Sequence, residues 1–350
     1  MKRILVASLS FLSMAGLSQA QDPKVGIFSP NEVDQTKVDL AIEKGIAYLK
    51  ANNARHTTQF TWAKVANMQH AELVLFTCCH AGVSETDAAF QELFKNMMER
   101  KLESTYCVSL QAMVLEEVER VKHQQRILMC AQFLVDNQNK EGQWGYGSPS
   151  IYVEDVPSEA PPRAAVGSGG GTVRKSGGLP PPGVKVKPTV KNKRKVEKKR
   201  DGEGHDNSNS QYAALGMRAC HDAGIVFEPA VIDKAMEWWR KTQKSAKADL
   251  EDLIEGGVDG PARVGGNKPG ATVAGPPVVS RRAEPQGWCY GDHGDHPSYG
   301  SMTAGAVGSL AIFDYIKDND DGKKRSWKAD KDIHEGLVWL AKNFSVTYNP

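Results

Sequence analysis

The segment Phe133-Leu134-Val135-Asp136-Asn137-Gln138-Asn139-Lys140-Glu141-Gly142-Gln143-Trp144 reads aromatic-Leu-x3-Gln-x3-Gly-x-Trp. Its first half closes an amphipathic helix, and its second half is a turn punctuated by glycine. The unit returns as Trp238-Trp239-x3-Gln243 and, after an interruption, Gly287-Trp288-Cys289-Tyr290. A recurring helix-plus-turn unit constrains a chain to stacked hairpins, because each unit needs its neighbours to bury its apolar face. The expected fold is all-α, a closed ring of helical hairpins.

Apolar spacing at i, i+3/i+4 and i+7 marks amphipathic helices. Val38, Ile42, Ile46 and Leu49 form one stripe; Ile127, Ala131 and Leu134 a second; Val231, Ala235 and Trp238 a third; Ile333, Leu337 and Leu340 a fourth. One-sided helices suit an outer layer, with one face on protein and one in water. Between them Ala71–Ala81, Tyr106–Val114, Tyr212–Ala223 and Met302–Ile316 are apolar or small nearly all round, as inner helices would be. The chain therefore alternates outer and inner helices.

A gapless repeat supports this order. At an offset of 142 residues Asn67 meets Asn209 and Gln69 meets Gln211, while Ala71, Leu73, Cys78, Ala81 and Gly82 meet Ala213, Leu215, Cys220, Ala223 and Gly224. Both glycines follow a last helical turn, where a left-handed cap favours glycine. Pro229 opens the next helix, at a position that needs no N–H. Two stretches break the pattern. Residues 149–204 are rich in Pro, Gly and Lys, and residues 245–285 carry Gly256-Gly257, Gly265-Gly266 and Gly275-Pro276-Pro277. Neither has apolar periodicity, so both are expected to be disordered insertions.

The first 20 residues have the form of a cleaved leader: Lys2-Arg3, an apolar run from Ile4 to Leu17, then Ser18-Gln19-Ala20. The run is short of the ~20 apolar residues of a membrane span. The expectation is export to a periplasmic or extracellular location, with residues 21–350 as the repeat domain. The whole chain has 44 basic and 42 acidic residues. A leader that removes Lys2 and Arg3 leaves the two balanced. The balance hides a segregation, because Lys185–Arg200 holds nine basic residues and the single acid Glu197. Such a run attracts anionic surfaces, although without interleaved aromatics it gives no case for specific nucleic-acid binding. Five of the six cysteines (Cys78, Cys79, Cys107, Cys130 and Cys220) fall among apolar helical neighbours and read as buried free thiols. Cys289 sits in a turn.

Phe133 to Trp144 resembles the QW repeat of squalene–hopene and oxidosqualene cyclases, and Trp238 to Tyr290 resembles a second copy split by an insertion. Asp206 to Tyr212 and Ser301 to Gly305 are similar to segments of exported bacterial proteins of the prenyltransferase and squalene-oxidase repeat family. The resemblance covers roughly residues 34–344. It implies an α/α toroid of the terpenoid cyclase and protein prenyltransferase kind. It also implies structural roles for Gln138, Gly142, Trp144, Gln243, Gly287 and Trp288. With both insertions set aside, the chain is short for a full ring of that family. The ring is expected to be incomplete, with self-association or a protein partner at its open edge.

The chemistry-bearing residues are fewer. Squalene–hopene cyclases protonate their substrate with the central acid of a DxDD motif, and Asp318-Asn319-Asp320-Asp321 matches it literally. In the cyclases the motif opens an inner helix; here it follows one, in a polar connection, where an acid is neither dry nor activated. Asp320 and Asp206 are thus the weak catalytic candidates. Prenyltransferase β-subunits hold zinc with Asp, Cys and His near inner-helix starts. Cys289, Asp292, His293 and His296, with His205, are ligand types that suit zinc, in a spacing that matches no zinc signature. Beyond that zinc, no cofactor is expected. Asn209, Gln211 and Tyr212, with Tyr290 and Tyr299, are candidates for polar recognition in a central cavity; for Asn209 and Gln211, hydrogen bonding between helices is an equal alternative. Two functions follow from the resemblance. One is a non-catalytic exported module that engages lipid, glycan or protein. The other is an enzyme of the terpene cyclase or prenyltransferase kind acting on an isoprenoid.

Overall fold

The computed structural model describes residues 34–62, 66–155, 187–245, 285–290, 297–318 and 330–345. The expected leader, Asp320 and the candidate ligands Asp292, His293 and His296 lie outside these residues. The described residues are mostly helical, with a few strands of two or three residues. No helix among the described residues is long and apolar enough to cross a membrane. The chain forms two compact units, and the helix Asn207–Asp222 contributes its first half to one and its second half to the other.

The first unit begins with α1 (Gln35–Ala51), whose first turn is capped by the Asp34 carboxylate accepting from the N–H groups of Thr36 and Lys37. A short α2 (Asn53–His56) leads to an antiparallel pair, β1 (Phe60–Trp62) with β2 (Ala66–Met68), in the register Phe60 to Met68. Then come α3 (Ala71–His80), α4 (Ala88–Glu99), α5 (Thr105–Glu119) and α6 (Gln124–Asp136). Gly82 closes α3 at φ +72°, with its N–H on the Cys79 carbonyl and the Val83 N–H on the Cys78 carbonyl. This double closure is the reason for glycine there. α4 escaped the sequence reading although Phe90, Leu93 and Met97 line one buried face at helical spacing. It restores the alternation by placing an amphipathic helix between two apolar ones.

Two expectations about layers need correction. α6, expected to wet one face, has ten of its thirteen residues buried. The cause is the chain at Lys187–Arg200. Gln124 donates to the Asn192 carbonyl and Gln132 to the Glu197 carbonyl, each at 2.8 Å, and the Lys199 N–H reaches the Asp136 carboxylate. Within this strap β3 (Arg194–Lys195) pairs in parallel with β4 (Ile225–Val226), and Val196 is buried. The sequence reading assigned all of 149–204 to a disordered insertion; residues 187–204 are instead a placed strap, and a 3-10 turn occupies Ile151–Val153. Conversely α3, expected to be buried all round, leaves Leu73, Thr77 and His80 exposed along one line.

The second unit holds the turn Gln138–Gly145, residues 201–214 with the start of α7 (Asn207–Asp222), then α8 (Pro229–Lys241), the pair β5 (Lys244–Ser245) with β6 (Gln286–Gly287), α9 (Gly300–Asp318) and α10 (Lys331–Asn343). α8 has the expected single buried face: Val231, Ile232, Ala235, Met236, Trp238 and Trp239. On α10 the buried line runs through Ile333, Gly336 and Trp339, and Leu337 is exposed, so the expected stripe was rotated. Gly336 lets Val307 and Trp288 approach the helix backbone, because a Cβ there would lie 2.6 and 2.8 Å from them.

Candidate functional site

In the second unit the two Gln–Trp elements make the same pair of links. Gln138, fully buried, donates its side-chain amide to the Val231 carbonyl at 2.8 Å, in the first turn of α8. Gln243 donates to the Asp332 carbonyl at 2.9 Å, in the first turn of α10. The backbone N–H of Trp144 donates to the Ser210 hydroxyl, and that of Trp288 to the Thr303 hydroxyl, both at 3.1 Å. Ser210 and Thr303 are each the fourth residue of their helices, α7 and α9. Both indoles are buried completely. Trp144 stacks on Phe313 at 6.4 Å, and Trp288 donates its ring N–H to the Trp239 carbonyl at 2.7 Å, giving that buried donor its partner.

Glycine is needed in both elements. Gly142 has φ +98°, and a Cβ would lie 2.2 Å from the Lys234 carbonyl oxygen of α8. A Cβ on Gly287 would lie 2.7 Å from Ser298 and 3.0 Å from Trp339.

The polar cluster expected at the start of α7 is present, and most of it acts as a cap. Asp206 precedes the helix; one carboxylate oxygen accepts from the Asn209 N–H at 2.9 Å and the Ser208 hydroxyl at 2.6 Å. The other accepts from the Tyr290 hydroxyl at 2.8 Å. Asp206 is thus an N-cap with its acceptors engaged. Asn207 bridges two elements: it donates to the Cys289 carbonyl at 3.1 Å and accepts from the Trp238 ring N–H at 2.9 Å. Asn209 is buried, while Gln211 and Tyr212 are half-buried. The Gln211 amide lies over Gly305, where a Cβ would come within 1.9 Å of its oxygen. Burial, then Cys289 and Asp206 nearby, push the Tyr299 hydroxyl above its ordinary pKa. Tyr290, Tyr299, Cys289 and Asp206 therefore gather at one place. His205 is exposed. No group of three or more His, Cys, Asp or Glu placed to hold a metal occurs among the described residues.

All six cysteines are free thiols, and Cys289 is buried despite its turn. Burial pushes the Cys107 thiol up to about 11 and the Cys130 thiol up to about 12, which makes them packing groups rather than nucleophiles.

The sequence reading missed a polar centre in the first unit. Glu72, 1% exposed in the first turn of the apolar helix α3, pairs with Arg100 at 3.2 Å and accepts from Gln69 at 3.0 Å. Arg126 joins through the Gln111 amide oxygen at 2.8 Å and the Arg100 carbonyl at 2.6 Å. Burial raises the Glu72 pKa against the opposing pull of Arg100. One Glu72 oxygen, the Gln69 amide oxygen and the Ser104 hydroxyl are buried without a partner. The signal was available: a single acid in the run Ala71 to Cys79.

Part of the basic run is engaged inside the first unit. Lys187 pairs with Glu116 and Glu117, Arg194 binds Gln125, and Arg200 holds the Ser148 carbonyl. Lys191, Lys193 and Lys195 remain exposed. No family model, curated protein or solved structure matches this chain.

Proposed function

We propose that this chain is a hairpin-repeat protein of the QW kind, an α/α toroid in which the ring works as a binding scaffold. The observation that carries this reading is the duplicated link. Each glutamine clasps the first turn of the next amphipathic helix, and each tryptophan N–H takes a hydroxyl on the next apolar helix. Repetition of one step with one geometry turns successive hairpins through a constant angle, which is how solenoids and rings arise. Its partners would be lipid, glycan or protein, with Lys191, Lys193 and Lys195 open to anionic groups. The cap role of Asp206 supports a scaffold rather than a proton donor.

The second reading, an enzyme acting on an isoprenoid, is favoured by Glu72, a carboxyl kept dry on an apolar helix. Two measurements separate the readings. Purified protein is incubated with squalene or farnesyl diphosphate and the extract analysed by mass spectrometry. Native mass spectrometry on the same protein reports bound lipid, zinc and oligomeric state. Product that forms with the parent and vanishes with Glu72→Gln overturns the scaffold reading. Bound lipid recovered without turnover supports it.

A further inference from the structure

A cleft of about 290 Å³ opens in the first unit where α1, α2, β1 and the start of α3 meet. Its walls include Tyr48, Arg55, His56, Phe60 and His70, with Asn52 between. No carboxylate lines it among the described residues. Arg55 is exposed and makes no ion pair among the described residues. Elsewhere in the same unit the arginines are engaged: Arg100 with Glu72, Arg120 with Glu116, and Arg126 with Gln111. Arg55 therefore stands apart as a guanidinium at a concave surface with no ion-pair partner among the described residues.

The surroundings are pre-arranged. The His70 N–H donates to the His56 carbonyl at 3.1 Å, which ties the end of α2 to the start of α3. The His56 ring bonds the Leu49 carbonyl through Nε2 at 3.1 Å, so Nε2 carries the proton and Nδ1 is left over. The His70 ring lies 5.0 Å from that of Phe60, which holds it against an apolar wall. Tyr48 is 62% exposed and offers its ring face at the rim of the cleft. A guanidinium offers a planar fork that matches phosphate or carboxylate oxygens. An aromatic wall beside it suits a flat or apolar body. Pockets of this size, at the lower limit for small-molecule sites, hold a single ring and its substituent.

We propose that this cleft binds a small anionic ligand, a phosphate or carboxylate carried on an aromatic or alkyl body, with Arg55 on the anion and Tyr48, Phe60 and His70 on the body. The cleft belongs to α1–α3 alone, so it stands or falls separately from the hairpin-repeat reading. The full-length protein is titrated with phenyl phosphate, inorganic phosphate and benzyl alcohol by isothermal calorimetry and saturation-transfer NMR. In parallel it is sedimented with phosphatidylcholine vesicles with and without phosphatidic acid. Saturable binding of phenyl phosphate, weaker binding of inorganic phosphate and none of the neutral alcohol are expected. Arg55→Gln lowers the phenyl phosphate affinity about tenfold or more, while Arg218→Gln, on the exposed face of α7, leaves it unchanged. Phe60→Leu reduces the preference for phenyl phosphate over inorganic phosphate. Binding to phosphatidic acid vesicles that Arg55→Gln abolishes, without binding of the soluble probe, assigns the anion to a lipid headgroup. Absence of saturable binding to every anionic probe, or an Arg55→Gln affinity within twofold of the parent, overturns the proposal.

Discussion

Gly142→Ala tests how the Gln–Trp turn is seated on α8. Two costs add. A non-glycine residue at φ +98° pays a left-handed backbone penalty of about 1–2 kcal/mol. The new methyl would also lie 2.2 Å from the Lys234 carbonyl oxygen and 2.5 Å from its carbon, which are backbone atoms of a helix and cannot swing aside. The turn must then lift, and overpacking of this kind costs about 1–3 kcal/mol. A lifted turn also stretches the Gln138 bond to Val231, worth about 1 kcal/mol. The expected loss is about 3 kcal/mol or more, read as the midpoint of urea unfolding followed by circular dichroism. Gly308→Ala is the matched control. It lies inside α9, a Cβ there meets nothing within 4 Å, and alanine in a helix interior gains about 0.5–1 kcal/mol over glycine. The same chemical change should therefore act in opposite directions at the two sites. A Gly142→Ala loss below about 1 kcal/mol, with Gly308→Ala behaving as stated, would refute the close seating.

Asp206→Ala should cost about 1–2 kcal/mol through loss of the α7 cap, with Asp206→Asn much milder, measured by the same unfolding curves. Gln138→Leu and Gln243→Leu should each cost about 1 kcal/mol and speed amide exchange in the first turns of α8 and α10 respectively; exchange confined to the mutated turn itself would count against the clasp. Glu72 supplies a pH test. Its carboxyl is raised from 4.5 by burial, so the folded state binds its proton more tightly than the unfolded chain. The stability this gives is present below about pH 4.5 and fades as pH climbs through the folded pKa. Glu72→Gln removes that term, so its stability relative to the parent should improve as pH rises above about 4.5, and a pH-independent difference would contradict it. With five thiols buried and Cys79 half-buried, Ellman's reagent at pH 8 should label Cys79 first in the native protein and all six in urea.

The parts legible in the sequence were those written in side chains. The stripe on α8, the cap at Gly82 and Gly224, and Gln138, Trp144, Gln243 and Trp288 each carry a residue type that only one local geometry explains. The parts that escaped depend on backbone atoms. The carbonyls of Val231 and Asp332 that receive the two glutamines leave no mark in the sequence. The strap at Lys187–Arg200 looked like low-complexity filler because its own composition is polar. It is held through its carbonyls by Gln124 and Gln132 of α6, contacts that the strap's own residues do not reveal. The cluster at Asp206 was found by composition, but its purpose was not, since capping and ligand binding draw on the same residue types. α4 carries the same signal as the other amphipathic helices, with Phe90, Leu93 and Met97 spaced i, i+3, i+7.

In both elements the glutamine comes before its acceptor in the chain, by 93 residues for Gln138 and by 89 for Gln243. A nascent polypeptide leaving the ribosome would thus meet a ready catch at both elements: the older corner is already waiting when the younger rod emerges. Assembly of that kind would run in one direction, like a zip, each younger rod received by an older corner.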